Sequence, residues 1–243
     1  MEAFLLAAGL GTRLRPLTND RPKALVEIDG RTLLEINIRR LVEAGASHIV
    51  VNVHHFADKM KAFLDSRDWG VPISISDESD LLLDTGGGLK HAQDLFSGKE
   101  PILIHNVDIL SNLPLTEIVN QHEQNGNIAT LVTSQRTTSR YLLFSPENEL
   151  VGWTNKKTGE FLWTNEARQE HIEHAFSGIA IISPSLLKLL PVPKEPYPIV
   201  PQYLKIAQHH PIGCYRHNPK QWLDVGKPET IAIAASFLRN INC

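Results

Sequence analysis

Short apolar runs alternate with segments of helical spacing through the first 134 residues. A continuous apolar run of a few residues is typical of a buried strand, and apolar residues three and four apart mark one face of a helix. The pattern predicts strands at 3–7, 48–53, 71–75, 102–104 and 128–133, and helices at 32–44, 56–64, 86–96 and 115–124. Strand and helix in alternation predict βαβ units, and therefore a mostly parallel sheet flanked by helices.

After residue 134 the pattern changes to short strands joined by turns. Strands are predicted at 141–144, 150–154, 160–163 and 179–182, and helices at 185–190, 200–209 and 228–239. The first three of these strands are separated by turn residues, which favours an antiparallel arrangement. We therefore expect one Rossmann-like α/β domain over 1–243, with a small antiparallel excursion near 140–175.

Composition narrows the function classes. The chain has 243 residues, 42% of them hydrophobic, enough for one large domain with its own core. A net charge of −3 argues against a general binder of nucleic acid or of membrane surfaces. Two cysteines, Cys214 and Cys243, exclude a disulfide framework. The apolar run at the N-terminus is far shorter than the roughly 20 residues of a membrane span, so we expect a soluble, cytoplasmic protein.

The turn after the first predicted strand concentrates positive charge. Gly9 and Gly11 allow a tight turn whose backbone N–H groups can surround an anion. Between residues 13 and 23 there are four cations against one carboxylate, Asp20; the cations are Arg13, Arg15, Arg21 and Lys23. Guanidinium and ammonium groups beside such a turn are what a polyphosphate requires. A phosphate-binding loop is therefore predicted at 9–23.

Two common phosphate-binding motifs do not match this loop. The dinucleotide fingerprint G-x-G-x-x-G has Leu14 at its third glycine, and the second strand is followed by no acidic residue. Pro16 and Pro22 prevent the regular helix that should begin there. The ATPase loop G-x-x-x-x-G-K-[ST] is absent from the sequence.

The loop belongs to a series of motifs that resembles one family. Residues 9–18 read GLGTRLRPLT and are followed by Pro22-Lys23; the later motifs, in order, are LDTGGG at 83–88, NVD at 106–108, FSGI at 176–179 and WLDVG at 222–226. Their sequence and order resemble those of the sugar-1-phosphate nucleotidylyltransferases. The short members are most similar, such as those that uridylylate N-acetylmuramate 1-phosphate or guanylylate mannose or heptose 1-phosphate. Longer relatives add a C-terminal β-helix, which is not expected here.

The resemblance implies a fold of the nucleotide-diphospho-sugar transferase type, with a nucleotide-binding half over about 1–134 and a sugar-binding half over about 135–243. It implies transfer of a nucleotidyl group from a nucleoside triphosphate to a sugar 1-phosphate, with release of pyrophosphate and without a covalent intermediate. Mg²⁺ is the implied cofactor, with Asp108 and Asp224 as its ligands. The implied catalytic residues are Arg13, Lys23, Asp108 and Asp224.

The same resemblance distributes the binding residues. Those implied for the nucleotide are Leu6, Ala8, Gly9, Gly11, Thr12, Arg13, Asp84, Gly87 and Asn106, and those for the sugar are Gly178 and Lys23. Asp84 could read a base or cap the following helix, so uridine and guanosine donors both stay open. Val107 stands where the family usually has glycine. This departure leaves open a relative that binds the nucleotide without catalysis. The sequence does not indicate which oligomeric state the protein has.

Overall fold

The computed structural model of the chain describes residues 1–167 and 170–240. The strands are β1 Glu2–Leu6, β2 Glu27–Ile28, β3 Arg31–Thr32, β4 His48–Val53, β5 Ile73–Asp77, β6 Ile102–Asn106, β7 Ile109–Ser111, β8 Ala129–Ser134, β9 Arg140–Phe144, β10 Leu150–Asn155, β11 Glu160–Trp163, β12 Ile172–Ile182, β13 Ile212–His217 and β14 Trp222–Asp224. The helices are α1 Leu33–Glu43, α2 Ala57–Asp65, α3 Asp84–His91, α4 Leu115–Asn125, α5 Ser185–Leu189, α6 Ile199–Ile206 and α7 Pro228–Asn240.

The first half of the chain builds a parallel sheet, as its pattern predicts. Strands run in the order β6-β1-β4-β5, with β1 parallel to both β4 and β6 and β4 parallel to β5. Leu6 at the end of β1 lies opposite Asn106 at the end of β6. The carboxyl ends of these strands therefore share one edge, the edge at which ligands bind in open α/β sheets.

One long strand joins this sheet to the rest of the fold. Residues 179–182 of β12 pair antiparallel with β6, and β12 also pairs antiparallel with β8 and, at its start, with β9. Strands β9, β10 and β11 form the predicted antiparallel excursion. Strand β13 extends the sheet in parallel with β8. The mostly parallel Rossmann-like sheet and its antiparallel excursion are thus confirmed.

Apolar layers cover both faces of the sheet. Leu5 and Phe4, adjacent in β1, are both fully buried but belong to different apolar clusters. The Leu5 cluster includes the buried residues of α1, and the Phe4 cluster includes Tyr203 of α6. Burial on both faces is why these strands are continuous apolar runs in the sequence. No helix in the described part of the chain is long and apolar enough to cross a membrane.

Local signals fix several helix ends. The side chain of Thr32 accepts a hydrogen bond from the backbone N–H of Glu35 at 3.1 Å and so caps α1. Gly126 ends α4 with φ +63°, a conformation that glycine adopts without strain. The predicted helix over 86–96 is shorter, since α3 covers Asp84–His91 and a single 3₁₀ turn follows at Gln93–Leu95.

Candidate active site

The loop after β1 folds into two 3₁₀ turns, Thr12–Leu14 and Lys23–Leu25, in place of a helix. Gly11 has φ +64°, and a Cβ there would lie 3.0 Å from the Cβ of Lys23. The hydroxyl of Thr18 donates to the Gly11 carbonyl at 2.9 Å and closes the loop. Glycine is therefore required at position 11 both for its backbone angle and for the return of Lys23 to the start of the loop.

Lys23 points at the end of β6. Its Nζ lies 2.7 Å from Oδ2 of Asp108, and only 15% and 10% of these two side chains is exposed. The predicted catalytic lysine and the predicted metal ligand are thus in direct contact. Of the other cations in the loop, Arg21 pairs with its neighbour Asp20 on the surface, and Arg13 is exposed.

Asp224 reaches the same place from the far end of the sequence. Strand β14 pairs antiparallel with β7, which places Asp224 opposite Ile109. The backbone N–H of Val225 donates to the carbonyl of Asp108 at 2.8 Å. The two predicted aspartates therefore lie in neighbouring backbone segments, although 116 positions separate them in the numbering.

A close turn brings Arg13 beside Asp224. Oδ1 of Asp224 accepts a hydrogen bond from the N–H of Gly226 at 2.7 Å. A Cβ on Gly226 would lie 2.7 Å from that oxygen and 2.8 Å from Nη2 of Arg13. The absence of a side chain at Gly226 therefore leaves room for both the guanidinium and the carboxylate next to this turn. The phosphate-binding loop predicted from the sequence therefore contacts both aspartate-bearing segments.

A cavity of about 390 Å³ opens at this edge of the sheet. Its walls are Leu6, Ala8, Gly9, Lys23, Asn52, Glu78, Leu82, Asp84, Thr85, Asn106, Asp108 and Pro196. Most of the residues predicted to bind the nucleotide are among these walls. The others, Gly11, Thr12, Arg13 and Gly87, do not line it, nor do Gly178 and Asp224.

Asn52 and Glu78 line the cavity and are joined by a hydrogen bond, and neither was predicted as a site residue. Oδ1 of Asn52 accepts from the backbone N–H of Ala7 at 2.6 Å and of Ala8 at 3.2 Å, and its Nδ2 donates to Oε1 of Glu78 at 2.7 Å. Oε2 of Glu78 accepts from the N–H of Leu83 at 3.0 Å. Burial raises the pKa of Glu78. The signal was available: Asn52 is a polar residue inside an otherwise apolar strand.

The glycines of the LDTGGG motif serve protein packing. A Cβ on Gly86 would lie 2.6 Å from the ring of Tyr197, and one on Gly87 would lie 3.0 Å from Leu83. The N–H groups of both glycines donate to the Tyr197 carbonyl, at 3.0 and 3.2 Å. A Cβ on Gly88 would strike Oε1 of Glu78 at 2.5 Å. These glycines let α3 approach Tyr197 and Glu78 closely, and the role of Gly87 in nucleotide binding stays a prediction.

Asp84 is the exposed first residue of α3 and has φ +60°. Its Oδ1 accepts from the N–H of the next residue, Thr85, at 2.6 Å. The carboxylate thus satisfies one N–H of the first helical turn while lining the cavity. The structure is therefore compatible with both roles considered from the sequence, recognition of a base and capping of the helix.

The predicted sugar-site glycine, Gly178, lies against the side chain of Asn106. Gly178 has φ +72°, and a Cβ there would lie 2.8 Å from Nδ2 of Asn106. The glycine lies within β12, where the pairing with β8 shifts register between Phe176 and Ala180. Gly178 therefore leaves space for Asn106 to stand at the cavity wall.

Val107 causes no local strain. Its side chain is fully buried in the apolar layer that includes Leu5, and its φ is not positive. Its N–H donates to the carbonyl of Leu6 at 3.1 Å, and its carbonyl accepts from the amide of Asn37 at 2.9 Å. The side chain lies in the core, so the valine is accommodated next to Asp108 without an unusual backbone conformation.

Asp108 and Asp224 suit a hard divalent cation that retains water and phosphate ligands. Such a cation commonly takes one or two protein carboxylates. In the described ranges, 1–167 and 170–240, no group of three or more His, Cys, Asp or Glu side chains is arranged to hold a metal ion. A two-carboxylate site completed by substrate fits this donor set better than a metal site made by protein alone.

Comparisons with known proteins agree with the fold and with the family resemblance. A family model described as nucleotidyl transferase matches residues 2–149. An N-acetylmuramate alpha-1-phosphate uridylyltransferase of Caulobacter vibrioides is 52% identical over 109 residues, which is 44% of this chain and 45% of that protein. A mannose-1-phosphate guanylyltransferase catalytic subunit beta of Dictyostelium discoideum is 29% identical over 240 residues, 94% of this chain and 62% of that protein.

Among solved structures, an inositol-1-phosphate CTP transferase from T. maritima aligns with a TM-score of 0.76 and 16% identity, covering 99% of this chain and 96% of that one. At this identity the likeness supports the fold alone. The chain spans 45% and 62% of the length of the two sequence relatives. Because the family model covers more than half of the chain, the protein belongs to the nucleotidyl transferase family.

Proposed function

We propose that the chain transfers a nucleotidyl group from a nucleoside triphosphate to a sugar 1-phosphate, giving a nucleotide sugar and pyrophosphate. The observation that carries the proposal is the contact of Lys23 with Asp108 at 2.7 Å, beside the segment that bears Asp224. The ammonium of Lys23 and the carboxylates of Asp108 and Asp224 thus belong to segments that adjoin the predicted phosphate-binding loop, at the edge of the sheet where ligands bind. The similarity to a uridylyltransferase and to a guanylyltransferase supports the same reaction class.

The reaction needs no nucleophile from the protein. An oxygen of the sugar phosphate attacks the α-phosphorus in line, the bond from that phosphorus to the bridging oxygen breaks, and pyrophosphate leaves with the electron pair. Lys23 neutralises charge at the α-phosphate or the sugar phosphate. Arg13, exposed at the turn beside Gly226, binds the phosphates that leave. Catalysis is therefore positioning and charge neutralisation.

Asp108 and Asp224 would hold the divalent cation, for which we propose Mg²⁺. When bound, the ion supplies positive charge to the phosphate oxygens. In the structure the ammonium of Lys23 already balances the Asp108 carboxylate. The contact of Asp224 with Gly226 uses one carboxylate oxygen and leaves the other for a ligand.

For the substrates, we propose UTP and N-acetylmuramate 1-phosphate, since the relative that carries those substrates in its name is 52% identical over the matched segment. GTP with mannose or heptose 1-phosphate is the second candidate, favoured by the longer match to a mannose-1-phosphate guanylyltransferase subunit. A non-catalytic relative is disfavoured because Arg13, Lys23, Asp108 and Asp224 are all present and lie in adjoining segments. We place the reaction in the cytoplasm, as part of nucleotide-sugar supply for the cell envelope.

A matrix of pyrophosphate-release assays tests the proposal. Each of UTP, GTP, CTP, ATP and dTTP is combined with Mg²⁺ and the 1-phosphates of N-acetylmuramate, N-acetylglucosamine, mannose and glucose. We expect release with one nucleotide and one sugar phosphate above all others. Release without any sugar phosphate would instead indicate hydrolysis of the nucleotide. Nucleotide binding without release in any combination would favour the non-catalytic alternative.

A further inference from the structure

Arg136 connects the two segments that carry predicted sugar-site and metal-site residues. It follows β8, and its Nη2 donates to the carbonyl of Phe176 at 2.8 Å. Its guanidinium carbon lies 4.4 Å from the centre of the Trp222 ring. Phe176 stands two residues before Gly178, and Trp222 stands two residues before Asp224. The guanidinium is thus placed between the strand of the sugar-site glycine and the strand of the second aspartate.

The charge of this guanidinium is poorly balanced by the protein. Arg136 is half-buried, and burial lowers its pKa, whereas Asp224 and Tyr141 act in the opposite direction. Its Nε is buried without a hydrogen-bond partner, and no ion pair within 4.0 Å of Arg136 occurs among residues 1–167 and 170–240. A cation withdrawn from water without a carboxylate in contact is costly. A ligand that brings its own negative charge would remove that cost.

Hydrogen bonds hold the Trp222 ring, on which Arg136 stacks, in place. The indole N–H of Trp222 donates to the carbonyl of Ser177 at 2.8 Å. The Ser177 hydroxyl lies 2.8 Å from Nε2 of His217, and both residues are buried. These contacts hold the ring on which the guanidinium stacks. The orientation of Arg136 is therefore set before any ligand arrives, a property of residues that bind a charged group selectively.

We propose that Arg136 binds an anionic group of the acceptor sugar phosphate. The inference rests on the proposed function and names a residue of its sugar subsite. A guanidinium pairs with the planar or forked oxygens of both phosphate and carboxylate. The group recognised is either the 1-phosphate, common to all acceptors, or a carboxylate carried by the sugar, as on N-acetylmuramate.

The test compares Arg136→Met and Arg136→Lys with the wild-type chain. Steady-state kinetics give kcat and KM for the nucleotide and for the sugar phosphate separately. We expect Arg136→Met to raise KM for the sugar phosphate by about 10- to 100-fold, with KM for the nucleotide within about 2-fold. Arg136→Lys should recover part of the loss, because the charge is retained without the guanidinium fork.

Arg67 is a matched control. Its guanidinium carbon also stacks on an aromatic ring, 4.5 Å from the centre of Phe63. Arg67 is not among the predicted site residues. Arg67→Met should leave both KM values unchanged. N-acetylmuramate 1-phosphate and N-acetylglucosamine 1-phosphate separate the two anionic groups. An equal loss with both identifies the 1-phosphate, and a loss confined to the first identifies the carboxylate.

Three results would overturn the assignment: an unchanged KM for every sugar phosphate, an equal rise in KM for the nucleotide, or the same loss in Arg67→Met. If the wild-type chain turns over no substrate, the proposed reaction fails and Arg136 is judged by calorimetric binding of the same sugar phosphates. Binding that Arg136→Met abolishes supports the residue's role. Binding that it leaves intact, or no binding to the wild type, rejects it.

Discussion

Nζ of Lys23 and Oδ2 of Asp108 lie 2.7 Å apart, although 85 positions separate the two residues in the chain. The contact joins the loop after β1 to the end of β6. A largely buried ion pair adds little to stability, because removal of both charges from water offsets their attraction. Under the proposed function, the pair is better explained as charge held in place for the phosphates of the substrates.

Lys23→Met and Asp108→Asn should each lower kcat/KM for pyrophosphate release by roughly 10²–10³-fold, the loss typical of one electrostatic contact to a reacting group. Lys23→Met should also destabilise the fold by about 1–3 kcal/mol, since it leaves a buried carboxylate unpaired. The double variant should regain stability without regaining activity. Release assays and urea unfolding measure the two quantities.

Lys188→Met, at an exposed lysine of α5, is the control and should change neither quantity. Activity within 10-fold of wild type in Asp108→Asn would remove that carboxylate from the predicted metal site.

Gly178→Ala should be more harmful than its backbone angle alone explains. The matched control is Gly126→Ala, since both glycines have positive φ but a Cβ on Gly126 meets nothing within 4 Å. We expect roughly 1 kcal/mol of destabilisation in Gly126→Ala from backbone strain. Gly178→Ala should cost more and should also raise KM for the nucleotide, because the new methyl group displaces Asn106, a predicted nucleotide-binding residue. Equal unfolding free energies in the two variants would contradict the close contact.

Glu78→Gln should weaken nucleotide binding. Both oxygens of Glu78 accept hydrogen bonds, from Asn52 and from Leu83, so a glutamine NH₂ group would face a donor on one side. We expect roughly 1–3 kcal/mol of destabilisation and a KM for the nucleotide raised about 10-fold. Asp77→Asn, which removes a surface carboxylate paired with Lys61, is the control. A change in KM for the sugar phosphate only would argue against this role.

Stability should fall as the pH drops from about 6.5 to about 4. Burial lowers the pKa of His105 and of His122 to about 4. In this window the unfolded chain binds protons at these side chains and the folded chain does not, so the free energy of unfolding decreases with falling pH. Each histidine accounts for roughly 3 kcal/mol over the whole window. Below about pH 4 both states are protonated and the contribution levels off.

Urea unfolding at a series of pH values measures this slope. His122→Gln should reduce it, because glutamine does not titrate. His209→Gln, at an exposed position, should leave it unchanged. A wild-type free energy of unfolding that is constant between pH 6.5 and pH 4 would contradict the neutral state of the buried imidazoles.

The parallel half of the fold was predictable because its strands are buried on both faces and therefore form continuous apolar runs in the sequence. Strand β4 and helix α1 lie where the apolar pattern and Thr32 place them. The pattern predicted only 179–182 of β12, whereas the strand begins at Ile172. Its first three residues include two polar side chains, Glu173 and His174, and they become strand through pairing with β9. Strands β7, β13 and β14 were also missed, since long-range pairing defines them more than local propensity does.

Within the site, charge and motif order located the loop, the lysine and both aspartates. The sequence could not show that the motif glycines Gly86 and Gly87 face Tyr197, because that residue comes from a distant segment. Nor could it show that Val107 turns into the core. The sequence did not indicate a role for Arg136, because that role depends on its contact with Trp222, which follows 86 positions later.

The attachment of the antiparallel excursion to β12 has an evolutionary consequence. The excursion pairs with β12 only at Ile172–His174, whereas the pairing with β6 that supports Asn106 uses Ile179–Ile182. Insertions or exchanges in the excursion can therefore accumulate without a slip in the register beneath the nucleotide cavity.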